Sequence, residues 1–562
     1  MDNVFNLIDE PWVPVVYCDG HPAEVSLRQL FVDAHLIKGV SGDIPQQQLP
    51  MLRLALAIMY RALRQPDMDD ESMLDLWGEM WQAGAFDITE FDRYFETWHD
   101  RFFLLGDRPF FQVPGLAYVD KKPPSPVSEM IADVPKPDKY LFAMRGQQSC
   151  GSLSLPEAAL CLVFLQSFDT AGIKTPVVGN SHINKGKVYA PKGAVGTGWL
   201  GALGGVYVET DNLFGTLMLN WCMVNDAYDP EEFRLFGNEK DVPVWEADEV
   251  PSPDMRFGDF EGPVQALTWQ SRRVRLVPDD ECKNIIGVVN CYGDVVTARD
   301  HDPFEKMTAW RESDAQRKKL GLSVPPRMPV THNASKALWR GLEPLLTVGE
   351  TGDHRPGVIR WIDRLRDEQM LEGKHPLLLV TIHAQGMTYG TQSSVYETGI
   401  DDSLSLSTMM FRKDYEGVNA VVDVVNCTDR AVKALAKYVR NLQVSAGDKG
   451  SKSQVASEQV EESAYAALDQ LFRDRISAFT QDQQPLLYAA EWKDEVHRRL
   501  LSMGRDYLTQ SSVPVFEEHE AQIIGVMSPA RAQLMFQGAL NKHLGPLHSV
   551  GDVAQTQGKG GR

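Results

Sequence analysis

Four small or polar residues in a row, Gly390, Thr391, Gln392 and Ser393, stand between two tyrosines in the stretch MTYGTQSSVYE. The apolar run before them, residues 376–384, predicts a buried strand that ends in a turn at these residues. A glutamine amide both donates and accepts hydrogen bonds, so it can replace the lost partner of a nucleobase. Proteins that open a duplex insert a side chain between base steps, at a cost of roughly a few kcal/mol. An ordinary hairpin turn is the alternative interpretation.

Basic residues concentrate in a second segment. Residues 136–192 carry seven basic and three acidic side chains, in a chain whose formal net charge is −21. Glycines in this segment let a backbone approach a ligand closely, and backbone N–H groups together with lysines suit phosphates. A solvated loop whose lysines only maintain solubility is the alternative.

Two shorter stretches are also basic. WQSRRVRL predicts a strand with Arg273 and Arg275 on one face and Arg272 on the other, which is typical of an edge strand blunted by charge. QRKKLG, at residues 316–321, is balanced by acidic residues upstream and predicts a solvated face.

Catalytic motifs are not visible. The sequence has no phosphate-binding loop of the form GxxxxGK[ST], no HExxH and no GxSxG. One GxGxxG match, Gly196–Gly201, does not follow a convincing strand, and Trp199 would crowd a pyrophosphate, so we interpret it as a chance match. Cys282 and Cys291 have no nearby ligand pair and are interpreted as structural thiols. We therefore expect neither an enzyme nor a metal or other cofactor.

The composition is that of a globular protein. The 562 residues are 43% hydrophobic and 24% charged, which allows about three or four domains of ~150 residues, or two large ones. A uniformly acidic surface repels a phosphate backbone, so any nucleic-acid role depends on a local basic patch or on other subunits. An odd set of seven cysteines, no signal peptide and no apolar span of about 18 residues predict a cytoplasmic protein away from membranes.

The secondary-structure elements that must position these residues are predicted to change from mixed strands and helices to helices alone near residue 428. Upstream, periodicity predicts short strands mixed with helices, including a helix with a capping box at Ser154 and Glu157 and a strand at 419–427. Downstream, an amphipathic helix from Thr428 is followed by a polar linker at 445–459. Further helical segments are expected at about 459–479, 484–506 and 526–543, and the four together predict an up-down bundle.

The expected fold is therefore α+β. A large mixed domain with short sheets and helices covers residues 1–427, and a C-terminal four-helix bundle covers 428–547. Residues 548–562 are poor in apolar side chains and predict a disordered tail.

Five segments carry a resemblance to a known family. They are FNLIDEPWVPV at residues 5–15, VSLRQLF at 25–31, RPFFQV at 108–113, GTQSSVYE at 390–397 and MSPARAQLMFQGALNKHLGPL at 527–547. In this order, and over nearly the whole chain, the sequence resembles the large subunit (CasA) family of the type I-E CRISPR Cascade complex.

The resemblance implies a non-catalytic subunit of an RNA-guided complex, located beside the 5′ handle of the CRISPR RNA. Such subunits recognise a short protospacer-adjacent motif (PAM) in double-stranded DNA, largely from the minor groove, and start strand separation and R-loop formation. The implied partners are the target DNA, the CRISPR RNA, the backbone and small subunits, and the nuclease-helicase. The degeneracy of the minor groove predicts tolerance of several motifs. A scaffold subunit that does not read DNA is the alternative.

The resemblance also implies site residues. Gln392 corresponds to the family's glutamine wedge, flanked by Thr391 and Gly390. Phe142 matches the aromatic residue of a loop that approaches the RNA handle and the DNA, and Met144 stands where a family member has Asn. The family's glycine-rich minor-groove loop corresponds to a region that begins at Gly172 and contains Gly179, Asn180, Lys185 and Lys187. Some members have a cysteine-rich metal site near positions 282 and 291; the isolated cysteines here predict no zinc.

Overall fold

The computed structural model describes residues 3–64, 69–132, 151–223, 239–372, 377–447, 451–479, 484–511, 519–521 and 525–547. The α-helices in these ranges are α1 (Leu27–Val32), α2 (Gln48–Ala62), α3 (Asp70–Ala83), α4 (Ile88–Trp98), α5 (Leu155–Phe168), α6 (Leu213–Asn220), α7 (Pro263–Leu267), α8 (Asp314–Leu320), α9 (Glu343–Leu346), α10 (Gly357–Asp367), α11 (Glu416–Ser445), α12 (Ser451–Ser477), α13 (Pro485–Thr509) and α14 (Pro529–Leu544).

The β-strands are short and scattered through the chain. They are β1 (Val4–Asn6), β2 (Val13–Tyr17), β3 (Pro22–Val25), β4 (Ile37–Val40), β5 (Phe103–Leu105), β6 (Leu153–Ser154), β7 (Gly205–Glu209), β8 (Arg256–Phe257), β9 (Arg272–Pro278), β10 (Asn284–Tyr292), β11 (Asp294–Val295), β12 (Trp310–Glu312), β13 (Arg327–Pro329), β14 (Leu379–Tyr389), β15 (Tyr396–Ser407), β16 (His519–Ala521) and β17 (Gly525–Met527).

The strands form sheets of two or three strands. Three-stranded sheets have the orders β3-β2-β4, β6-β10-β9 and β15-β14-β7, and the two-stranded sheets are β1-β5, β11-β8, β12-β13 and β16-β17. Sheets this small cannot bury a core alone, so helices cover them. The predicted α+β class, with short sheets and a C-terminal helical bundle, is confirmed.

The chain divides into two compact units. The first comprises Met1–Lys336 and Val348–Ser403, and the second comprises Ala337–Thr347 and Leu404–Arg562. In the first unit, α2 is buried over most of its length, and Arg53 on this helix forms an ion pair with Glu305 at 2.8 and 2.9 Å. Trp199 donates its indole N–H to the same carboxylate at 2.7 Å, so the buried charges are hydrogen-bonded as well as paired.

The second unit is organised around α11, against which α12, α13 and α14 pack. Thr428 on α11 accepts a hydrogen bond from the indole of Trp492 on α13 at 2.9 Å. Tyr438 stacks on Phe536 of α14 with ring centroids 4.8 Å apart. These contacts lie on a stripe of buried residues that recurs every three to four positions, as an amphipathic helix requires.

Two sequence-based expectations were wrong in this unit. Residues 419–427 belong to α11 and form no strand, because their valines bury one face at helical spacing. The polar linker expected over 445–459 is much shorter, since α12 begins at Ser451. The domain bounds 1–427, 428–547 and 548–562 stay a prediction; α11 is continuous across residue 428, and the tail lies outside the described residues.

Local signals were reliable in the first unit. The capping box at the start of α5 is present: Ser154 accepts a hydrogen bond from the Glu157 N–H at 3.4 Å, and Glu157 accepts one from the Ser154 N–H at 2.8 Å.

In the described part of the chain, every helix is too short or too polar to cross a lipid bilayer.

Candidate nucleic-acid interface

Strands β14 and β15 form a hairpin whose tip carries Gln392. The Gly390 N–H donates to the Val395 carbonyl at 3.0 Å, and the Ser393 N–H donates to the Gly390 carbonyl at 2.8 Å. Gln392 has φ 57°, in the left-handed region that residues with a Cβ seldom adopt, and its side chain is exposed. The hairpin therefore presents the predicted wedge residue to the outside on a tightly closed turn.

Two tyrosines secure the base of this tip. Tyr389 donates its hydroxyl to the Phe168 carbonyl at 2.7 Å, and its ring lies 5.9 Å from that of Tyr396. The Tyr396 ring in turn lies 6.1 Å from that of Phe164 on α5. Burial raises the pKa of both tyrosines, so their hydroxyls stay protonated and Tyr389 remains a donor. The tip is thus anchored to the end of a buried helix.

Gly172 lies beside this tip. Its φ is +111°, and a Cβ added there would lie 3.3 Å from the Ser394 Cβ. The Tyr292 hydroxyl donates to the Gly172 carbonyl at 2.8 Å and holds it in place from the other side. The structure therefore brings together two regions that are more than 200 residues apart in sequence and that the resemblance assigns to one function.

A buried ion-pair cluster positions the chain just before Gly172. Asp169 is 4% exposed and pairs with both Lys174 and Arg272. Burial opposes ionisation of Asp169, but the charges of Lys174 and Arg272 outweigh it, and the pKa of this carboxyl is lowered. Arg272 also donates to the Thr170 and Gly196 carbonyls at 3.1 and 2.7 Å. Lys174 and Arg272 consequently hold the loop in shape.

Residues 172–190, which we call the lysine ribbon, double back on themselves. Lys174 and Val188 exchange backbone hydrogen bonds of 3.0 and 3.1 Å, and Asn184 and Lys187 exchange two of 2.9 and 3.1 Å. Lys185, with φ 49°, lies in the turn between the latter two, and the side chains of Lys185 and Lys187 are exposed. Both predicted lysines are therefore available to a ligand.

Gly179 and Asn180 fasten the lysine ribbon to the body of the protein. Asn180 accepts a hydrogen bond from the Val177 N–H at 2.8 Å and donates its amide to the Pro253 carbonyl at 3.0 Å. Gly179 has φ +97°, and an added Cβ would lie 3.3 Å from the Pro253 Cγ. The Asn180 amide is thus engaged within the fold, and a DNA contact by either residue stays a prediction.

The GxGxxG match has a packing function that sequence reasoning missed. A Cβ on Gly198 would lie 2.3 Å from the backbone carbon of Ser167, and one on Gly201 would lie 2.3 Å from the Tyr389 hydroxyl. The glycines let this segment pass close beneath the end of α5 and the base of the hairpin. The spacing of these glycines is the signal in the sequence, but as a nucleotide-binding motif it was interpreted as a chance match, and close packing was not considered.

Two arginines of β9 are fully buried and the third, Arg275, is partly buried, so the strand does not present a row of exposed basic side chains. Arg273 is fully buried, pairs with Asp294 and donates to the Gln270 side-chain oxygen at 3.0 Å. Arg272 is equally buried and pairs with Asp169, and Arg275 donates to the Leu116 carbonyl at 2.6 Å.

Among the residues that the structure describes, no three or more His, Cys, Asp or Glu side chains form a cluster able to hold a metal. Phe142 and Met144 lie outside the described residues.

Comparison with known proteins gives the family. The model of the family "CRISPR-associated protein Cse1" matches residues 6–503, and the chain belongs to this family. The resemblance to the large subunit (CasA) of type I-E Cascade is thereby confirmed.

Individual relatives agree with this assignment. CasA/Cse1 of Thermus thermophilus is 26% identical over 461 residues, which cover 79% of this chain and 80% of the relative. The crystal structure of Cse1 from Thermobifida fusca has a TM-score of 0.83 at 28% identity and covers 96% of this chain and 98% of that one. Cse1 from Acidimicrobium ferrooxidans gives 0.77 at 26% identity, with 97% and 99% covered.

A likeness of fold extends to a chain from a structure named "CRISPR RNA-guided surveillance complex". Its TM-score is 0.61 at 18% identity, and 90% of this chain and 99% of that chain are covered.

Proposed function

We propose that this chain is a non-catalytic subunit of a cytoplasmic, RNA-guided type I-E Cascade. It recognises a protospacer-adjacent motif in double-stranded DNA and begins strand separation with Gln392. The observation that carries the proposal is the proximity of Gly172 to Ser394, which places the start of the lysine ribbon beside the tip bearing Gln392. Assembly with other Cascade subunits and the CRISPR RNA follows from the family and from the fold shared with a chain of a surveillance complex.

The geometry of the tip suits a wedge. A side chain that separates a base pair must resist being pushed back, because unstacking costs roughly a few kcal/mol per step. Gln392 stands on a turn closed by backbone hydrogen bonds, and Tyr389 below it is bonded to the end of α5. Its amide then offers a donor and an acceptor to the bases it separates.

The charge distribution suits a local grip on DNA. With a formal net charge of −21, the chain as a whole repels DNA. Affinity for DNA must therefore come from surface regions where Lys or Arg side chains are exposed and are not paired with Asp or Glu. Lys185 and Lys187 are exposed on the lysine ribbon, whereas the buried arginines of β9 are neutralised by Asp169 and Asp294. The ribbon would hold phosphates while the tip enters the duplex.

The remaining partners belong to the same proposal. The helices of the second unit would contact the small subunits and help to hold the displaced strand, and the chain would offer a landing surface for the nuclease-helicase. Residues 140–149, which include Phe142, would approach the CRISPR RNA handle and the DNA.

Substitution of Gln392 tests the proposal. We expect Gln392→Ala to enter the reconstituted complex normally but to lower R-loop yield on linear target DNA, because the side chain that stabilises the first open base pair is lost. Gln82→Ala, at an exposed glutamine on α3, is the matched control. Wild-type R-loop yield from Gln392→Ala would reject the wedge and favour the alternative, a scaffold subunit that does not read DNA.

A further inference from the structure

Two exposed apolar side chains lie on the lysine ribbon near Gly172, the residue beside the hairpin tip. Ile173 is 55% exposed and Tyr189 is 43% exposed. Within the described part of the chain, the ring and hydroxyl of Tyr189 contact no other aromatic ring and form no hydrogen bond. This ring is therefore available to an outside partner.

Backbone pairing places Ile173 and Tyr189 opposite each other. Lys174 is paired with Val188 through two backbone hydrogen bonds, as in an antiparallel bridge. In the register that joins 174 with 188, residue 173 faces residue 189.

Alternation along the ribbon turns both side chains outward. Successive side chains of an extended segment point to opposite faces. Lys174 points inward to the buried carboxylate of Asp169, and Val188 is fully buried. Their neighbours Ile173 and Tyr189 therefore share the outer face, where they form a small apolar and aromatic surface.

This surface lies at the place where a base would be released. Gly172, which precedes Ile173, lies so near Ser394 that an added Cβ would come within 3.3 Å of the Ser394 Cβ, and Ser394 is two residues from Gln392. A base whose partner has been displaced loses stacking, and an aromatic side chain can restore it whatever the base is, because every base has a π-face. The exposed lysines farther along the same ribbon would hold the backbone of that strand.

We propose that Tyr189, with Ile173 beside it, is a platform that receives a nucleobase freed when the hairpin tip opens the duplex. The ligand class is an unstacked nucleobase of single-stranded DNA, bound without base specificity. This inference rests on the proposed function, since it requires that DNA opens at Gln392. It assigns to the lysine ribbon a second task, which is to retain the open state that the wedge creates.

The test uses target DNA that is already open. The reconstituted complex is bound to a duplex with a short mismatched bubble beside the motif and with 2-aminopurine at the first bubble position. We expect Tyr189→Ala to release this DNA about tenfold faster, the size of one lost base–aromatic stack, and to lose the quenching of 2-aminopurine. Tyr189→Phe keeps the ring and should stay within about twofold of wild type.

Phe257→Ala is the matched control. It removes another exposed aromatic ring, 60% accessible, from the open cavity beside Trp269, and we expect it to leave release and quenching unchanged. Equal release from Tyr189→Ala and wild type would overturn the platform. So would a Tyr189→Ala chain that fails to enter the complex while the assembled fraction retains DNA normally, because the surface would then bind a protein.

The two proposals fail separately. The bubble needs no wedge, so a platform defect appears there whether or not Gln392 opens intact duplex. Normal opening of intact duplex by Gln392→Ala rejects the wedge alone, and normal retention of the bubble by Tyr189→Ala rejects the platform alone.

Discussion

The strand β9 and the lysine ribbon are both basic in sequence, yet the fold uses them in opposite ways. Arg272 and Arg273 of β9 are fully buried on Asp169 and Asp294. Lys185 and Lys187 of the ribbon are exposed at a turn. Burying a charge without a partner is costly, so the arginines require those carboxylates, whereas solvated lysines require none. A basic stretch therefore indicates a nucleic-acid surface only where its charges are left without internal partners.

The two regions also have different functions: β9 supports the fold, and the lysine ribbon presents the side chains that are proposed to bind DNA. Arg272, which pairs with Asp169, fixes the start of the ribbon, and the ribbon carries the exposed lysines and Gly172, which lies beside the hairpin tip. Substitutions in β9 should therefore change the stability of the fold, and substitutions in the ribbon should change binding.

The largest expected effect is on stability. Replacing Arg272 with Ala leaves Asp169 buried with only Lys174 as a counter-charge, and we expect the free energy of unfolding to fall by about 3–5 kcal/mol. Urea denaturation measures this change. Lys185→Ala, on the exposed turn of the ribbon, is the control and should shift stability by less than about 0.5 kcal/mol. Similar values for the two variants would remove the distinction between the regions.

Acid sensitivity should follow Asp169. Its folded-state pKa is lowered because the charges of Lys174 and Arg272 outweigh the opposing effect of burial. The stabilisation is therefore complete above the unfolded-state pKa of about 3.9 and is lost as the pH falls through the lower, folded-state pKa. We expect Asp169→Asn to cost roughly 3 kcal/mol at pH 7, and this difference from wild type to shrink as the pH is lowered below 4.

Urea titrations at several pH values measure that difference. Asp280→Asn, at the exposed turn between β9 and β10, is the control and should behave like wild type throughout. A cost of Asp169→Asn that is the same at pH 7 and pH 3 would contradict the assigned ion pairs.

A smaller effect is expected on binding when the ribbon is altered. Lys185→Glu combined with Lys187→Glu should weaken DNA binding and flatten the plot of log affinity against log salt by about two, because each lost phosphate contact removes a slope of about 0.9. Filter binding of the complex at several salt concentrations measures the slope. Charge reversal of Lys318 and Lys319 on the exposed helix α8 is the matched control. An unchanged slope in the ribbon variant would place the DNA elsewhere.

The smallest expected effect concerns the base of the hairpin. Tyr389→Phe removes the hydrogen bond to the Phe168 carbonyl and should lower the free energy of unfolding by about 1 kcal/mol. Tyr189→Phe removes a hydroxyl with no partner in the described structure and should be neutral. Thermal unfolding of the two variants compares them, and an equal shift would mean that the Tyr389 bond does not hold the tip.

Local signals in the sequence predicted a good part of the fold. The capping box of α5 was identified because its determinants lie within a few residues of each other. The buried strand expected over 376–384 is only partly matched, since β14 runs from Leu379 to Tyr389 and Leu379 is exposed. Residues 419–427 were misjudged because a run of valines satisfies both a buried strand and one face of a helix. Propensity favours the strand, and packing in the bundle favours the helix and prevails.

The site was predicted in outline but not in its construction. The exposure of Gln392 and of the lysines follows from residue type and turn chemistry, and their proposed roles follow from family resemblance. The proximity of Gly172 to Ser394, the hydrogen bond from Asn180 to Pro253 and the ion pair of Arg272 with Asp169 join residues that are 73 to more than 200 positions apart. Such pairings depend on the complete fold, so no local pattern encodes them.

The most direct test of the central claim is a site-specific cross-link from position 392. Gln392→Cys in the reconstituted complex is presented with target DNA that carries a tethered thiol, activated as a mixed disulfide so that a small thiol leaves on exchange, on the first base pair beside the motif or on a pair about two helical turns away. The account predicts a disulfide with the first position and none with the distant one, and none with either position from Gln82→Cys. Stable DNA binding by the Gln392→Cys complex without a cross-link at the first position would contradict it.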